Sequence, residues 1–453
     1  MKQRHMKRAA AALLAFGLVA AACGGDDDTA TEDTTATEET TAEAGTSLVG
    51  GAIPCEQQYA GETITMFSSI RDIEAERLET AYVAFEECTG ADVQHEGSAE
   101  FEAQLKVRID GGNAPDIAVI PQPGLMADLA RAGKLLEMPA AAKDFVTANF
   151  SAGWPELGTV DGKFFATPFG ANVKSLVWYN PKSFADKGYE IPQSWADLLA
   201  LSDKIVADGG KPWCAGIESG GATGWVVTDW FEDVMLRVNG ADVYDQWVNH
   251  GIPFNDPKVV AVADEVAKVL KNEAYINGGV KSIATTSFQE GGLGILDGSC
   301  YMHRQASFYG NQFPEGTVKG EAGDVNAFYF PAVDPAGIKP MLGGGEVLAV
   351  TNLRDAVVSA ILFLSSSDYA NARAVQGSWI SANKGLDTSV IPDELDRKFA
   401  ELLIASDVFR FDGSDMMPGA VGAGSFWTES TAWIVGGSTK DMLDKIEASW
   451  PKS

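Results

Sequence analysis

The chain has 453 residues, 45% hydrophobic and 21% charged, with 63 Asp and Glu against 34 Lys and Arg for a formal charge of −29. That acidity argues against nucleic acid as a partner; solubility at a cell surface is its simplest use. The length exceeds what one core usually serves and predicts two lobes.

The first eight residues, MKQRHMKR, carry four Lys or Arg, and an apolar stretch from Ala9 to Ala22 ends at Cys23. This is the layout of a signal peptide over 1–22, too short for a comfortable membrane span. Ala20, Ala21 and Ala22 supply the small residues of a lipoprotein processing site, with Ala20 standing where Leu is more usual. Cys23 is thus the expected lipidation site. From 24 to 50 the chain carries eight acidic residues, no basic ones and no aromatics. Such a composition cannot bury enough apolar surface to fold and reads, over 23–54, as a lipidated Cys followed by a disordered acidic, Thr-rich tether.

Four cysteines remain, an even number in an exported chain, which suggests two disulfides. Pairing within lobes gives Cys55 with Cys88 and Cys214 with Cys300. No CxxC spacing supports zinc.

Thr63 to Phe67 reads as a short strand; Leu78, Ala81, Tyr82 and Phe85 recur at helical spacing before Gly90. A strand near Asp92 to Gln94, a helix from Phe101 to Ile109 and a strand from Asp116 to Ile120 complete a βαβαβ order, which implies a parallel sheet. Ligands bind beyond the carboxyl ends of such strands, which selects Ser68 to Arg71, Ser98 to Phe101 and Pro121 to Gly124. After Asn180 and Pro181 a second α/β unit begins, with Ser194 capping one helix and Asn255 and Pro257 opening another. Its strands are expected at Cys214 to Ile217 and Cys300 to His303. Phe328 to Val333 and Val347 to Thr351 read as a return to the first unit, followed by helices at 355–364, 392–406, 426–435 and 442–448. No later stretch is apolar for long enough to span a membrane.

Five stretches then stand out in order: FEECTGADVQHEGSAEFEAQL from Phe85, GGNAPDIAVIPQPGLMADLARAGKL from Gly111, TPFGANVKSLVWYNP from Thr167, GGGEVLAVTN from Gly343, and MPGAVGAGSFW ending at Trp427. Together they make the chain, from about Ile64 to Trp450, resemble the family 1 extracellular solute-binding proteins of ABC importers, the maltose-binding-protein group. PQPGL, WCAGIESG, HRQASF and SFW look most like its α-glucoside-binding branch. The resemblance implies an α/β fold of two lobes joined by crossing hinge strands (type II, periplasmic-binding-protein-like). Lobe 1 would comprise 55–168 and 328–383, and lobe 2 would comprise 169–327 and 384–453, with crossings near Phe169 to Val177 and Tyr329 to Val333. It also implies a neutral mono- or oligosaccharide as ligand and ABC permease subunits as partners. The protein is expected as a monomer at the outer face of the cell membrane, held only by lipid, with no cofactor.

A sugar needs paired donors and acceptors and flat apolar faces. Of eleven Trp, Trp178 and Trp247 read as core. Trp427 is the aromatic candidate that the resemblance places against sugar, with Phe426 its neighbour; Trp379 and Trp225 suit cleft and core equally. Polar candidates at strand ends are Ser69, Arg71, Ser98 (with Phe101 beside it), Glu102, Gln122, Asn172 and Lys174. In the second unit they are Asp229, His303, Arg304, Gln305 and Glu346. Each has an ordinary structural alternative in a surface position or an internal ion pair. A cleft of carboxylates and aromatics also suits a glycoside hydrolase, yet no catalytic residue set is indicated: GxSxG, GxxxxGK[ST] and HExxH are all missing. Binding of a charged solute such as a phosphorylated polyol is a further alternative, and metal is disfavoured by the lack of His and Cys clusters.

Overall fold

The computed structural model describes residues 47–452 apart from 152, 335–338 and 407; the signal segment, Cys23 and the tether through residue 46 lie outside them. Residues 47–54, read as tether, instead form a small hairpin in which Ser47–Leu48 pairs with Ile53–Pro54. Ile53 is buried, and the Val49 N–H donates to Asp368 Oδ2 at 2.7 Å.

Strand Thr63–Ser68 runs parallel to both Asp92–Gly97 and Ile117–Ile120, and helices Asp72–Thr89 and Phe101–Asp110 make the connections. This is the predicted βαβαβ unit. Alternate strand residues face opposite ways. Ile64, Met66, Ile117 and Val119 pack with Leu78 and Phe85 of the first helix, while Phe67, Ala118 and Ile120 pack with Phe101 and Leu105 of the second. Each fully buried Leu or Phe here contributes roughly 1.5–3 kcal/mol. The first helix ends at Gly90, whose φ of 77° lies in the left-handed region and whose N–H reaches the Glu86 carbonyl at 2.8 Å.

The large sheet is completed by the long strand Met341–Val350. It lies antiparallel to Ile117–Ile120 and to Ala166–Val173, and parallel to Phe409–Phe411. A second sheet of three antiparallel strands places Leu176–Tyr179 between Met302–Arg304 and Asn326–Tyr329. Phe328 and Tyr329 therefore belong to this smaller sheet, and the chain returns to the large one only at Met341. The reason is register: Phe328 sits opposite Val177 and packs with Tyr179 at 5.5 Å between ring centres. Cys214 to Ile217 forms no strand among the described residues; Trp213 makes only isolated bridges to Ile276 and Met302.

The sheets are joined where Ala166–Val173 passes through Lys174 and Ser175 into Leu176–Tyr179. There the Lys174 N–H donates to Leu342 O and the Phe330 N–H to Ser175 O, at 2.8 and 2.9 Å. The second core surrounds Trp247, Phe254, Phe231, Phe426 and Trp433. Its helices start as the caps require: Ser194 and Asp197 form a capping box, and Asp256, rather than Asn255, caps the helix opened by Pro257. Cys55 is bonded to Cys88 and Cys214 to Cys300, 33 and 86 residues apart. Among the described residues, no helix is long and apolar enough to cross a membrane.

Candidate functional site

A cavity, open to solvent, lies at the carboxyl ends of the large sheet's parallel strands, facing the start of helix Trp225–Asn239. Helix beginnings furnish much of its wall. Arg71 precedes helix Asp72–Thr89, Glu102 is the second residue of Phe101–Asp110, and Gln122 precedes Pro123–Arg131. Trp225 and Trp427 each open a helix. These five side chains reach the wall, joined by Ser69, Asn172, Lys174, Glu346 and Trp379.

Two aromatic walls result. Trp379 lies edge-on to Phe169 and Tyr369 at 6.2 and 5.9 Å. It faces inward because Ser378 takes a left-handed φ of 50° and its N–H donates to Asp396 Oδ2 at 2.8 Å. On the other wall Trp225 packs against Phe288 and Phe308 at 5.3 and 6.0 Å, with the Lys174 ammonium 5.5 Å from its ring. The second wall also includes Trp427.

Polar atoms on this surface lack protein partners. Arg71 Nε, Gln122 Oε1, Tyr369 OH and Trp427 Nε1 are buried with none among the described residues. An unsatisfied buried polar atom costs about 1–3 kcal/mol, which a ligand hydroxyl would recover. Gln122 Nε2 is engaged, donating to Glu102 Oε1 at 3.0 Å.

Five carboxyl groups and three cations line the cavity: Glu74, Glu102, Glu346, Asp412 and Asp415 against Arg71, Lys174 and Arg373. Burial, and then the charge of Glu74, pushes the Glu346 carboxyl up to about 7. Burial likewise raises Glu74 to about 6, against the pull of Arg373. Burial and Asp412 hold Asp415 well above the ordinary carboxylate range. Asp412 itself, despite burial, is kept at about 2 by Lys174 and by the Asp415 N–H.

Seven expected ligand contacts stand away from the cavity wall. Asp229 and Arg304 are fully buried beneath it, bonded to each other at 3.2 Å; Asp229 also takes Lys174 Nζ at 3.0 Å, and Arg304 also donates to Asp233 Oδ2 at 2.6 Å. A buried guanidinium must be paired, and the helix carrying Asp229 and Asp233 lies against its strand. His303 is buried, with Nδ1 at 3.0 Å from the Cys214 carbonyl, and burial lowers its pKa to about 4. Gln305 turns back to accept from the Ala306 N–H at 2.8 Å. Phe426 is core, edge-on to Phe231, Trp247 and Phe254. Phe101 is core against Phe67. Ser98 Oγ accepts from the Glu100 N–H at 3.1 Å, fixing the turn into the helix.

The sequence reading missed Glu74, Phe288, Phe308, Tyr369, Arg373, Asp412 and Asp415, which all face the cavity. Glu74 lies one helical turn after Arg71, and Arg373 one turn after Tyr369, spacings that could have paired them. Asp412 and Asp415 stand just before the MPGAVGAGSFW stretch. Phe308 closes the HRQASF stretch, within the short helix Ser307–Asn311, where attention to the stretch as a whole could have found it; Phe288 lies in a segment with no repeating pattern.

Asp229, Glu232 and Asp412 approach closely enough to suggest a cation site. The Lys174 ammonium already bonds Asp229 and Asp412 there. Both Glu232 carboxylate oxygens receive backbone N–H groups, from Gly413 at 2.9 Å and Ser414 at 3.0 Å.

Residues 73–352 match the family described as bacterial extracellular solute-binding protein. Over 392 residues, 86% of this chain and 92% of the relative, the sequence is 40% identical to the osmoprotective compounds-binding protein GgtB of Synechocystis. It is 38% identical over 401 residues, 86% and 87% of the two chains, to the alpha-glucosides-binding periplasmic protein AglE of Rhizobium meliloti. Among solved structures, the bacterial solute receptor AcbH is similar with a TM-score of 0.72 at 20% identity, covering 86% of this chain and 97% of that one. Maltose-bound MalE3 of T. maritima gives a TM-score of 0.67 at 20% identity, covering 85% and 98%. These structural likenesses concern the fold, two α/β lobes joined by crossing strands. From the family match and the two long relatives, the chain belongs to the bacterial extracellular solute-binding proteins.

Proposed function

We propose that this protein captures a neutral α-linked glucoside in the cavity between its two aromatic walls and delivers it to the permease of an ABC importer. In this reading the chain is tethered outside the cell by lipid on Cys23, acts as a monomer, and binds without catalysis. The lobes follow the bounds 55–168 with 328–383 and 169–327 with 384–453, adjusted so that Asn326–Tyr329 goes with the smaller sheet and all of Ala166–Val173 and Phe409–Phe411 with the larger. The observation that carries the reading is one surface combining the faces of Trp225, Trp379 and Trp427 with buried, unpartnered donors and acceptors at Arg71, Gln122 and Trp427. Sugar rings offer C–H faces to the first and hydroxyls to the second. More carboxyls than cations line the wall, which disfavours a phosphate ester. The name of the R. meliloti relative supports an α-glucoside.

Calorimetric titration with maltose, trehalose and sucrose tests this directly. At least one should bind at micromolar affinity, about −8 kcal/mol, with little dependence on salt and no turnover on long incubation. Hydrolysis, or exclusive binding of a phosphorylated or β-linked ligand, would overturn it. The name of the Synechocystis relative favours a second reading, a small osmoprotective solute. Tighter binding of a zwitterionic osmolyte than of any disaccharide would select it.

A further inference from the structure

Glu346 stands in the cavity wall opposite an irregularity in the neighbouring strand Ala166–Val173. Gly343 to Gly345 pair with Val173 to Ala171, the pairing resumes only at Val347 opposite Pro168, and the register shifts between Gly345 and Val347. Three residue steps from Ala171 to Pro168 thus oppose two from Gly345 to Val347, so the extra residue of the bulge lies in Ala166–Val173. Glu346 keeps the alternation of Gly344 and Leu348 and stands opposite the bulged pair Phe169 and Gly170. The partner strand makes room at Gly170, where an added Cβ would stand 2.6 Å from Glu346 Oε2 and 2.9 Å from Trp379 Nε1.

Among the described residues, no cation forms an ion pair with this carboxyl. Lys174 is held by Asp229 and Asp412. Arg373 donates to the Gly377 carbonyl at 3.1 Å. From helix Asp72–Thr89 the facing group is Glu74, a like charge, with Arg71 and Arg77 around it. Tyr369 stands on the same side. Glu74 is satisfied as an acceptor, taking Asn311 Nδ2 at 2.9 Å. Among the described residues, Glu346 has only its own backbone N–H as a donor. When two carboxyls face each other, the less well solvated one keeps its proton.

We propose that Glu346 meets the bound solute as a neutral acid that donates a hydrogen bond to a solute oxygen, so that capture is coupled to proton uptake. This rests on the proposed function, because an uncharged solute seals the cavity from water without supplying a counter-ion. Burial and Glu74 already place the group near 7, and removing the remaining water raises it further. The sign follows. Affinity is constant below about pH 7 and falls above it, by up to about tenfold per pH unit until the complex itself titrates.

The test is titration calorimetry of the purified protein with whichever α-linked disaccharide binds. It is run from pH 6 to 8.5 and repeated at pH 7.5 in phosphate and in Tris, whose ionisation enthalpies differ. The expected result is weakening above about pH 7 and a buffer-dependent enthalpy reporting uptake of part of a proton. Glu346→Gln, which still donates but cannot titrate, should lose the inflection and the buffer dependence, with its thermal melting checked alongside. Affinity that rises with pH would assign Glu346 the opposite role, an acceptor carboxylate, and overturn the proposal. A flat profile in the unmodified protein, or an unchanged inflection in folded E346Q, would also overturn it. Failure of every α-glucoside to bind at any pH would instead sink the function on which it rests.

Discussion

At the residue scale, buried polar groups here divide into those satisfied by the protein and those left for a ligand. Asp233 is of the first kind. It accepts from Arg304 and Arg237 at 2.6 Å each and from Ser175 Oγ at 2.6 Å, tying two cations and the crossing together at full burial. Removing one partner of such a pair strands the others without solvent. Asp233→Ala should therefore destabilise folding by about 3–5 kcal/mol, read by chemical denaturation. Under the proposed function Trp427 is of the second kind: it is buried to 2%, and its Nε1 has no partner among the described residues. Trp427→Phe keeps an aromatic face and removes the donor. It should weaken sugar binding by about 1–3 kcal/mol while the denaturation midpoint moves less than for D233A. A large loss of stability with no loss of affinity would make Trp427 a core residue instead.

At the scale of elements, the helices are held where their caps predict. Ser194 Oγ accepts from the Asp197 N–H at 3.1 Å, and Asp197 Oδ2 from the Ser194 N–H at 3.0 Å. Ser194→Ala should cost about 1 kcal/mol in denaturant unfolding, and S194D should restore part of it. Caps of this kind, the βαβαβ order and four helices of the tail were legible in the sequence because each is a local pattern of turn residues and periodicity; the helix Ser367–Ala374 between them was not expected. The same logic selected Arg71, Glu102 and Gln122, which follow strands and line the cavity. It also selected Arg304 and His303, placed after or in a strand, which are buried away from that cavity. Strand position says which residues end near a site, and not which face of the strand meets it; the helix with Asp229 and Asp233 covers that face. That logic missed Phe288 and Phe308, since long-range folding brings their segments to Trp225. Glu346 was legible as a residue, but the bulge opposite it lies in Ala166–Val173 and arises from the pairing of the two strands, which no local pattern encodes.

For the whole molecule, binding must join what the large sheet carries to what the smaller sheet carries, and contacts beside the cavity do so already. Glu100, just before helix Phe101–Asp110, accepts at Oε1 from the Gly221 N–H at 3.0 Å. Its neighbours Ala99 and Glu102 and, across from them, Ser219 and Ala222 all line the cavity. Gly220 carries a left-handed φ of 57°, and an added Cβ would lie 2.7 Å from Glu100 Oε1, so the turn lets the carboxylate approach the Gly221 N–H while the Gly220 N–H donates to Glu218 Oε1 at 2.8 Å. Both Glu100 and Gly221 are exposed. Their bond thus adds little to folding yet links the two sides of the opening. In proteins that close around a ligand, such a contact is made only in the closed form and slows release. Glu100→Ala should leave thermal melting of the ligand-free protein within about a degree, because one exposed contact is worth little. It should raise the dissociation rate of the bound sugar about fivefold, the effect of one hydrogen bond, with the association rate nearly unchanged. Stopped-flow mixing on intrinsic tryptophan fluorescence separates the two rates, and Trp225 and Trp427 supply the signal. A change confined to the association rate would mean that Glu100 acts on the open protein, by steering or by fraying the turn.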